Sequence, residues 1–306
     1  MKKISFLLLV IVFIFGATAQ NRELKVSSFN VRNDNSGDAD AGNGWQNRYP
    51  VIVSMILFHD LDIIGTQECK NNQVNDLKNH LPGYNYIGVG RGDGKTADEY
   101  SAIFYKTDKF DLLAHGDFWL SETPDVPSKG WDAALNRICT WGKFEEKATG
   151  FQFYAFNLHF DHVGVLARVE SSKLVIDKIK EIAGESAPVF LTGDFNVGQT
   201  SEGYEIITSS CFLYDSYNLV PAAYRYALSG TFNDFKTNTV TETRIDHVFV
   251  TAAFTPSRYG VLTEIYWTDA SGTPIHSGNF PAEVEYLTAT PRVPSDHWPI
   301  VVALKY

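Results

Sequence analysis

The chain has 306 residues, 44% of them hydrophobic and 14% aromatic, with a formal net charge of −10 at neutral pH. That length and apolar content exclude a disordered tail and a miniprotein held by disulfides, and allow a large core. The acidic balance excludes the sequence-blind grip on long nucleic acid that comes from lysine and arginine neutralising phosphates, so no stable nucleic-acid partner is expected.

The first element is MKKISFLLLVIVFIFGATAQ. Lys2 and Lys3 give a positive start, Ile4 to Phe15 an apolar run, and Ala17-Thr18-Ala19 a small-residue cleavage site. The run is about a dozen residues, within signal-peptide range and short of the roughly 20 that cross a bilayer. Residues 1–19 are therefore expected to be a removed signal peptide and residues 20–306 the mature domain. The destination is expected to be outside the cytoplasm, in periplasm or medium. No later segment is apolar enough to span a membrane, and a monomer is expected. Losing Lys2 and Lys3 makes the mature chain two charges more negative. Cys69, Cys139 and Cys211 fit no metal spacing. Their odd number leaves at least one thiol unpaired, and one disulfide stays open.

Strand-like runs then follow in order: 24–31, 61–68, 84–90, 101–106, 110–120, 137–145, 151–160, 187–195, 244–251 and 299–306. They alternate apolar with polar residues or are rich in β-branched and aromatic ones. Helical patterns lie between them at Trp45 to Phe58, Asn72 to Leu81 and Val163 to Ala183. In the last, Val165, Val169, Ser172, Ile176 and Ile179 form one stripe, and Gly184 stops it. Strands outnumber helices, and both halves carry strand–helix–strand units. An α+β fold is predicted, with sheets packed face to face and helices outside.

The strand ends carry the chemistry. VSSFN ends on Asn30, DIIGTQE on Glu68, and DEYSAIFY brings Glu99 to a strand entry. FYAFNLHFDH delivers His159, with Asp161 and His162 behind it, and VFLTGDFN delivers Asp194 and Asn196. RIDHVFV starts near Asp246, and VPSDHWPI presents Asp296 and His297. Buried charges persist when paired or bound to metal. Hard oxygen ligands suit Mg2+ or Mn2+ with a substrate phosphate as a further ligand, and imidazoles beside them suit proton transfer. The inventory reads as metal-assisted phosphoester hydrolysis. Singly, each motif has a plainer reading: Gly-Asp-x-Asn as a turn, Glu68 as a solvated residue after a strand, Asp246 as a surface ion pair with Arg244. Those readings leave the repetition at strand ends unexplained.

The ordered set SFN (28–30), TQE (66–68), NLHFDH (157–162), TGDFN (192–196), RIDHVFV (244–250) and SDHWP (295–299) resembles the endonuclease/exonuclease/phosphatase superfamily. The resemblance implies a four-layer α/β/β/α sandwich of two packed, mostly antiparallel sheets flanked by helices. It implies Glu68 as the principal ligand of Mg2+ or Mn2+, with Asn30 beside it and Asp296 as a further acid near the metal. Asp194 resembles the residue that prepares the attacking water, and Asn196 the carboxamide that holds a phosphate oxygen. His297 resembles the histidine on the scissile phosphate, aimed by Asp246. His159 resembles the second histidine, with Glu99 placed to orient it. Arg137 resembles a phosphate-contacting arginine, a structural ion pair being the alternative.

Segments 89–100 and 118–141 are similar to exported bacterial members related to the deadenylase and nocturnin-like branch. The glycine-rich run 88–94 reads as a hairpin-like loop or as a phosphate-approaching backbone with Arg91 as its charge. Trp119, Trp131 and Trp141 read as core or as a pocket wall. The function implied is a divalent-metal-dependent phosphohydrolase cleaving mono- or diesters of a small or nucleotide-like substrate. A secreted nuclease is the alternative within the class. A non-catalytic binding module on the same scaffold is the alternative outside it, and the presence of Glu68, Asp194, Asn196, Asp296 and His297 argues against it.

Overall fold

The computed structural model describes residues 22–276, 278 and 286–306; the expected signal peptide lies outside them. The chain runs through β1 (Glu23–Asn30), β2 (Ile63–Gln67), β3 (Tyr84–Ile87), β4 (Ile103–Lys106), β5 (Phe110–Trp119), β6 (Ile138–Glu146), β7 (Gln152–His159) and β8 (Val189–Asp194). It continues with β9 (Tyr214–Asp215), β10 (Arg225–Tyr226), β11 (Asp246–Val250), β12 (Thr255–Val261), β13 (Tyr266–Thr268), β14 (Thr290–Arg292) and β15 (Ile300–Lys305). The helices are α1 (Ser36–Asp40), α2 (Trp45–Phe58), α3 (Asn71–His80), α4 (Val165–Ala183), α5 (Glu202–Ser209) and α6 (Ser216–Leu219).

One sheet has the order β10-β12-β15-β1-β2-β4-β3 and the other β5-β6-β7-β8-β11-β9. Pairing is mostly antiparallel; β1 with β2 and β7 with β8 run parallel, as their helical crossovers require, and the two-residue β10 also runs parallel to β12. Side chains alternate across each sheet. Leu24, Val26, Ile63, Phe153, Phe190, Val248 and Val250 point into the space between the sheets and form its core. The opposite faces are covered by helices. Ile52, Ile56, Val74 and Leu77 of α2 and α3 pack on Ile64 and Phe104. Val175, Ile176 and Ile179 of α4 pack on Leu158, Leu191 and Phe249. The result is the expected four-layer α/β/β/α sandwich. Val165, predicted for the α4 stripe, is instead 63% exposed at the first turn.

The inner face changes character along the strands. β7 runs Phe153, Ala155, Asn157, His159; β8 runs Phe190, Thr192, Asp194; β1 runs Val26, Ser28, Asn30. The apolar half is core and the polar half is a hydrogen-bonded floor. Gln67 Nε2 donates to Asn157 Oδ1 at 2.6 Å, Thr192 Oγ1 to the same oxygen at 3.0 Å, and Asn157 Nδ2 to the Ala102 carbonyl at 3.0 Å. Gly65 lets the sheets close there, because a Cβ on it would overlap Thr192 Oγ1 and Asn157. Cys69, Cys139 and Cys211 are all free thiols, the first two buried, so the disulfide left open by the sequence does not form. Among the described residues no helix is long and apolar enough to cross a membrane.

Candidate active site

Register brings the polar strand ends side by side. His159 and Asp246 both pair with Asp194 in the second sheet, and Asn30 pairs with Gln67 in the first. Just past three of these ends the chain enters the left-handed region without glycine: Arg32 at φ 57°, Glu68 at 64° and Asn196 at 49°. Such residues are strained and persist where the surroundings hold them. Here they turn the chain sharply, and all three side chains line the same cleft.

Asn30 Nδ2 donates to Glu68 Oε1 at 3.0 Å and to Asp194 Oδ2 at 2.9 Å, while its Oδ1 accepts the Arg32 N–H. The carboxamide therefore bridges two acids, and the oxygen expected to face a cation faces the backbone. Asn33 holds the other side of Glu68, donating to Oε2 from its backbone at 3.2 Å and its side chain at 2.9 Å. Asn196 donates its N–H to Asp194 Oδ1 at 3.0 Å, and its Nδ2 lies 3.2 Å from His159 Nε2. His297 Nδ1 bonds Asp246 Oδ2 at 2.9 Å, and its Nε2 faces Asp194 at 3.7 Å. Asp246 therefore pairs with His297 and not with Arg244, which pairs with Asp215 at 3.0 Å.

Asn33, Glu68, His159, Asp194, Asn196 and His297 line a cleft of about 490 Å3 that also takes in Glu99, Arg137 and Asp296, whereas Asn30 and Asp246 are not part of its lining and act through the groups they bond. A larger cleft, about 610 Å3, opens at the far end of the sheets around Asp62, Lys109 and Glu146. Lys106 pairs there with Asp60 and Asp62, Lys109 pairs with Asp62 and Glu146, and no imidazole lines it, so the smaller cleft is the one with chemistry.

Burial shapes the titration of the site. Asp194 is pushed up to about 7 by burial and then by the Asp246 charge. Asp296 is pushed up to about 6 by burial, with Glu68 adding and His297 opposing. Glu68 is buried too, yet the Asn30 hydrogen bond and the His297 and Arg32 charges hold it below its ordinary value. Burial works against charge on His297, but Asp246 and Asp194 raise its pKa well above normal. His159 falls well below, through burial and the Arg137 and Arg91 charges. One histidine is kept charged and the other neutral.

Glu99 lies in the cleft but does not bond His159. Arg91 Nη1 takes its carboxylate at 2.8 Å and Asn33 Nδ2 approaches at 3.3 Å, leaving His159 Nδ1 without a partner. Arg91 reaches this position from the glycine-rich loop, whose carbonyl at Arg91 accepts Trp119 Nε1–H at 2.8 Å. Trp119 is thus core and a clamp; it does not line the cleft, nor do Trp131 and Trp141. Arg137 pairs with Asp161 at 3.2 Å and His162 Nδ1 at 2.9 Å while its Nη1 is buried without a partner, so it is both a structural pair and a donor at the cleft.

Sequence reasoning missed Arg32, Asn33 and Arg48. The polar run VRNDN directly after SFN was the available signal for the first two. Arg48 is fully buried and donates to the carbonyls of Val31, Arg32, Asn43 and Pro294 at 2.6–3.2 Å. It ties the end of β1 to the segment carrying Asp296 and His297.

The donor set fits a hard divalent cation. Glu68, His159 and Asp194 each bring a ligand atom within 4.8 Å of the others, as do Asp194, Asp246 and His297. Glu68 and Asp296 already share a cationic neighbour, Arg32 Nη1, at 4.0 and 3.5 Å.

The profile of the Endonuclease/Exonuclease/phosphatase family matches residues 27–297. The chain belongs to that family. A solved family member from Bacteroides thetaiotaomicron is 53% identical, with a TM-score of 0.86 over 94% of this chain and 99% of that one. The mannosyl-6-phosphatase of the same species is 54% identical, with a TM-score of 0.85 over 92% of this chain and 100% of that one. The Ccr4 exoribonuclease subunit of Aspergillus niger is 24% identical over 83% of this chain. The chain spans about half of that subunit, 46% of its length, and the relation to the deadenylase branch expected from the sequence is found there. As a family member, the chain is a phosphoester hydrolase.

Proposed function

We propose that the protein is a divalent-cation-dependent phosphomonoesterase acting on a hexose phosphate, exported and monomeric, with one catalytic domain. The observation that carries the reaction class is the convergence of Glu68, Asp194, Asn196, Asp296 and His297 on one cleft. The substrate class rests on the likeness to the mannosyl-6-phosphatase, 54% identical over nearly the full length of both chains. The mouth of the cleft agrees with a sugar. Phe232, 39% exposed and 5.0 Å from the His297 ring, offers an apolar face for a pyranose. Asp38 and Asp234 sit in the same lining and disfavour long polyanions.

Glu68 and Asp296 would hold the cation. When bound, such a cation polarises a phosphate oxygen and stabilises charge on the departing alkoxide. Asp194, fixed by Asn30 and the Asn196 N–H, accepts the proton of the attacking water; its raised pKa suits a base near neutral pH. His297, charged and held by Asp246 at Nδ1, presents Nε2 to the phosphoryl oxygens. Asn196 and neutral His159 complete the polar wall, with Arg137 behind them.

Hydrolysis of hexose 6-phosphates, nucleotides, short oligonucleotides and model diesters, read as phosphate release from the monoesters and as cleavage products from the oligonucleotides and diesters, with Mg2+, Mn2+ or chelator, tests this reading. Hexose 6-phosphate should be the preferred substrate and chelator should abolish turnover. Asp194→Asn should fold normally and turn over at least about a hundredfold more slowly, the scale of a lost general base. Preference for oligonucleotides would replace the phosphatase with a nuclease. Full activity of Asp194→Asn would remove the base.

A further inference from the structure

Arg32 has no part in the reaction described above, yet its side chain lies between two groups of carboxylates. On one side Nε donates to Asp38 Oδ2 at 2.8 Å and Nη2 lies 3.5 Å from Oδ1. On the other, Nη1 is 3.5 Å from Asp296 Oδ2 and 4.0 Å from Glu68 Oε2. The backbone of Arg32 is pinned. Its N–H is taken by Asn30, and its carbonyl accepts from Arg48 Nη2 at 3.2 Å and Gln73 Nε2 at 2.9 Å. Only the side chain is free to redistribute, and it is one-third exposed, toward the cleft.

Asp38 is the partner that already holds the guanidinium, and it is itself held in place. Asn35 caps α1 by accepting the Asp38 N–H at 2.9 Å and donates Nδ2 to Asp38 Oδ2 at 2.6 Å. Asp38 bonds Arg32 and Asn35 and touches none of the catalytic residues. Nothing in hydrolysis requires a carboxylate there, and nothing in the packing does, because α1 buries none of its residues.

We propose that Arg32 is a tethered counter-ion of the cation pocket: held on Asp38, it turns Nη1 toward Glu68 and Asp296 and neutralises them before the cation arrives, and the cation then repels Nη1 so that Asp38 alone keeps the guanidinium. The proposal rests on the reading of Glu68 and Asp296 as cation ligands. Two buried carboxylates facing each other repel unless a positive charge stands between them. A divalent cation shared by the same pair repels a guanidinium this close. The flexible arm of arginine and its permanent charge let one residue meet both conditions. Arg32 and the cation therefore compete, and Asp38 sets the terms of the competition.

Calorimetric titration of chelator-stripped protein with Mn2+ and Mg2+, paired with melting curves in chelator, tests it. Arg32→Gln should bind the cation roughly tenfold more tightly, the scale of one nearby charge removed, and should melt lower in chelator than the wild type. Asp38→Asn should shift affinity the other way, by about threefold on the same scale, because Arg32 is then thrown onto Glu68 and Asp296. Opposite shifts from two neighbouring substitutions do not arise from misfolding. Cation binding that is lost in Glu68→Gln but unchanged or weakened in Arg32→Gln would overturn the counter-ion alone, and a raised KM in that variant would reassign Arg32 to the substrate. A wild type that binds no cation would remove both the ligand reading and the counter-ion.

Discussion

His297 and His159 are buried to similar degrees, yet the site drives them to opposite charge states. The difference lies in neighbours. Asp194 lies near Nε2 of both, 3.7 Å from His297 and 3.5 Å from His159; His297 has Asp246 on its other nitrogen as well, whereas His159 faces the guanidiniums of Arg137 and Arg91. If turnover needs charged His297, activity falls as pH rises through its pKa. Removing the Asp246 charge lowers that pKa, so Asp246→Asn should move the alkaline limb of the pH–rate profile to lower pH by about one unit or more. An unchanged limb would assign it to another group. The same scale shows what sequence reasoning resolves and what it does not. The residue types at the strand ends singled out Glu68, Asp194 and His297, which the fold brings to one cleft, because few structures need such groups there. The partner of Glu99 was not legible. Arg91 arrives from a loop position eight residues earlier and takes the carboxylate, and a linear pattern cannot rank competing cations.

At the scale of elements, strong periodicity was decisive. The predicted helix Trp45 to Phe58 is α2 itself, and every predicted strand is present within a few residues of its expected ends. The strands that escaped prediction are short or interrupted. β12 contains Pro256 and Gly260, which argue against a strand, and the sheet accommodates the proline with a register shift between Pro256 and Arg258. β9 and β10 have two residues each, too few for a pattern. Arg48 was hidden for the opposite reason: on a helix, arginine reads as surface. Its burial against four carbonyls makes it the pin between β1 and the Asp296–His297 segment. Arg48→Met keeps volume but strands those carbonyls, so it should lower stability by about 3 kcal/mol or more, read as an earlier midpoint in urea. A midpoint within error of the wild type would mean that the pin is not needed.

Across the whole molecule the design is a gradient. Between the sheets the side chains pass from aromatic and aliphatic, through the Asn157–Gln67–Thr192 floor, to carboxylate and imidazole at one end. The two helical crossovers place β1 beside β2 and β7 beside β8, so groups far apart in the chain meet at the same edge. Convergence around one cation is the central claim, and it is tested most directly by the Mg2+ dependence of phosphate release in Glu68→Ala. The concentration of Mg2+ needed for half-maximal activity should rise at least about tenfold, the size of a lost metal ligand or its support. A Mg2+ titration superimposable on that of the wild type would contradict the claim.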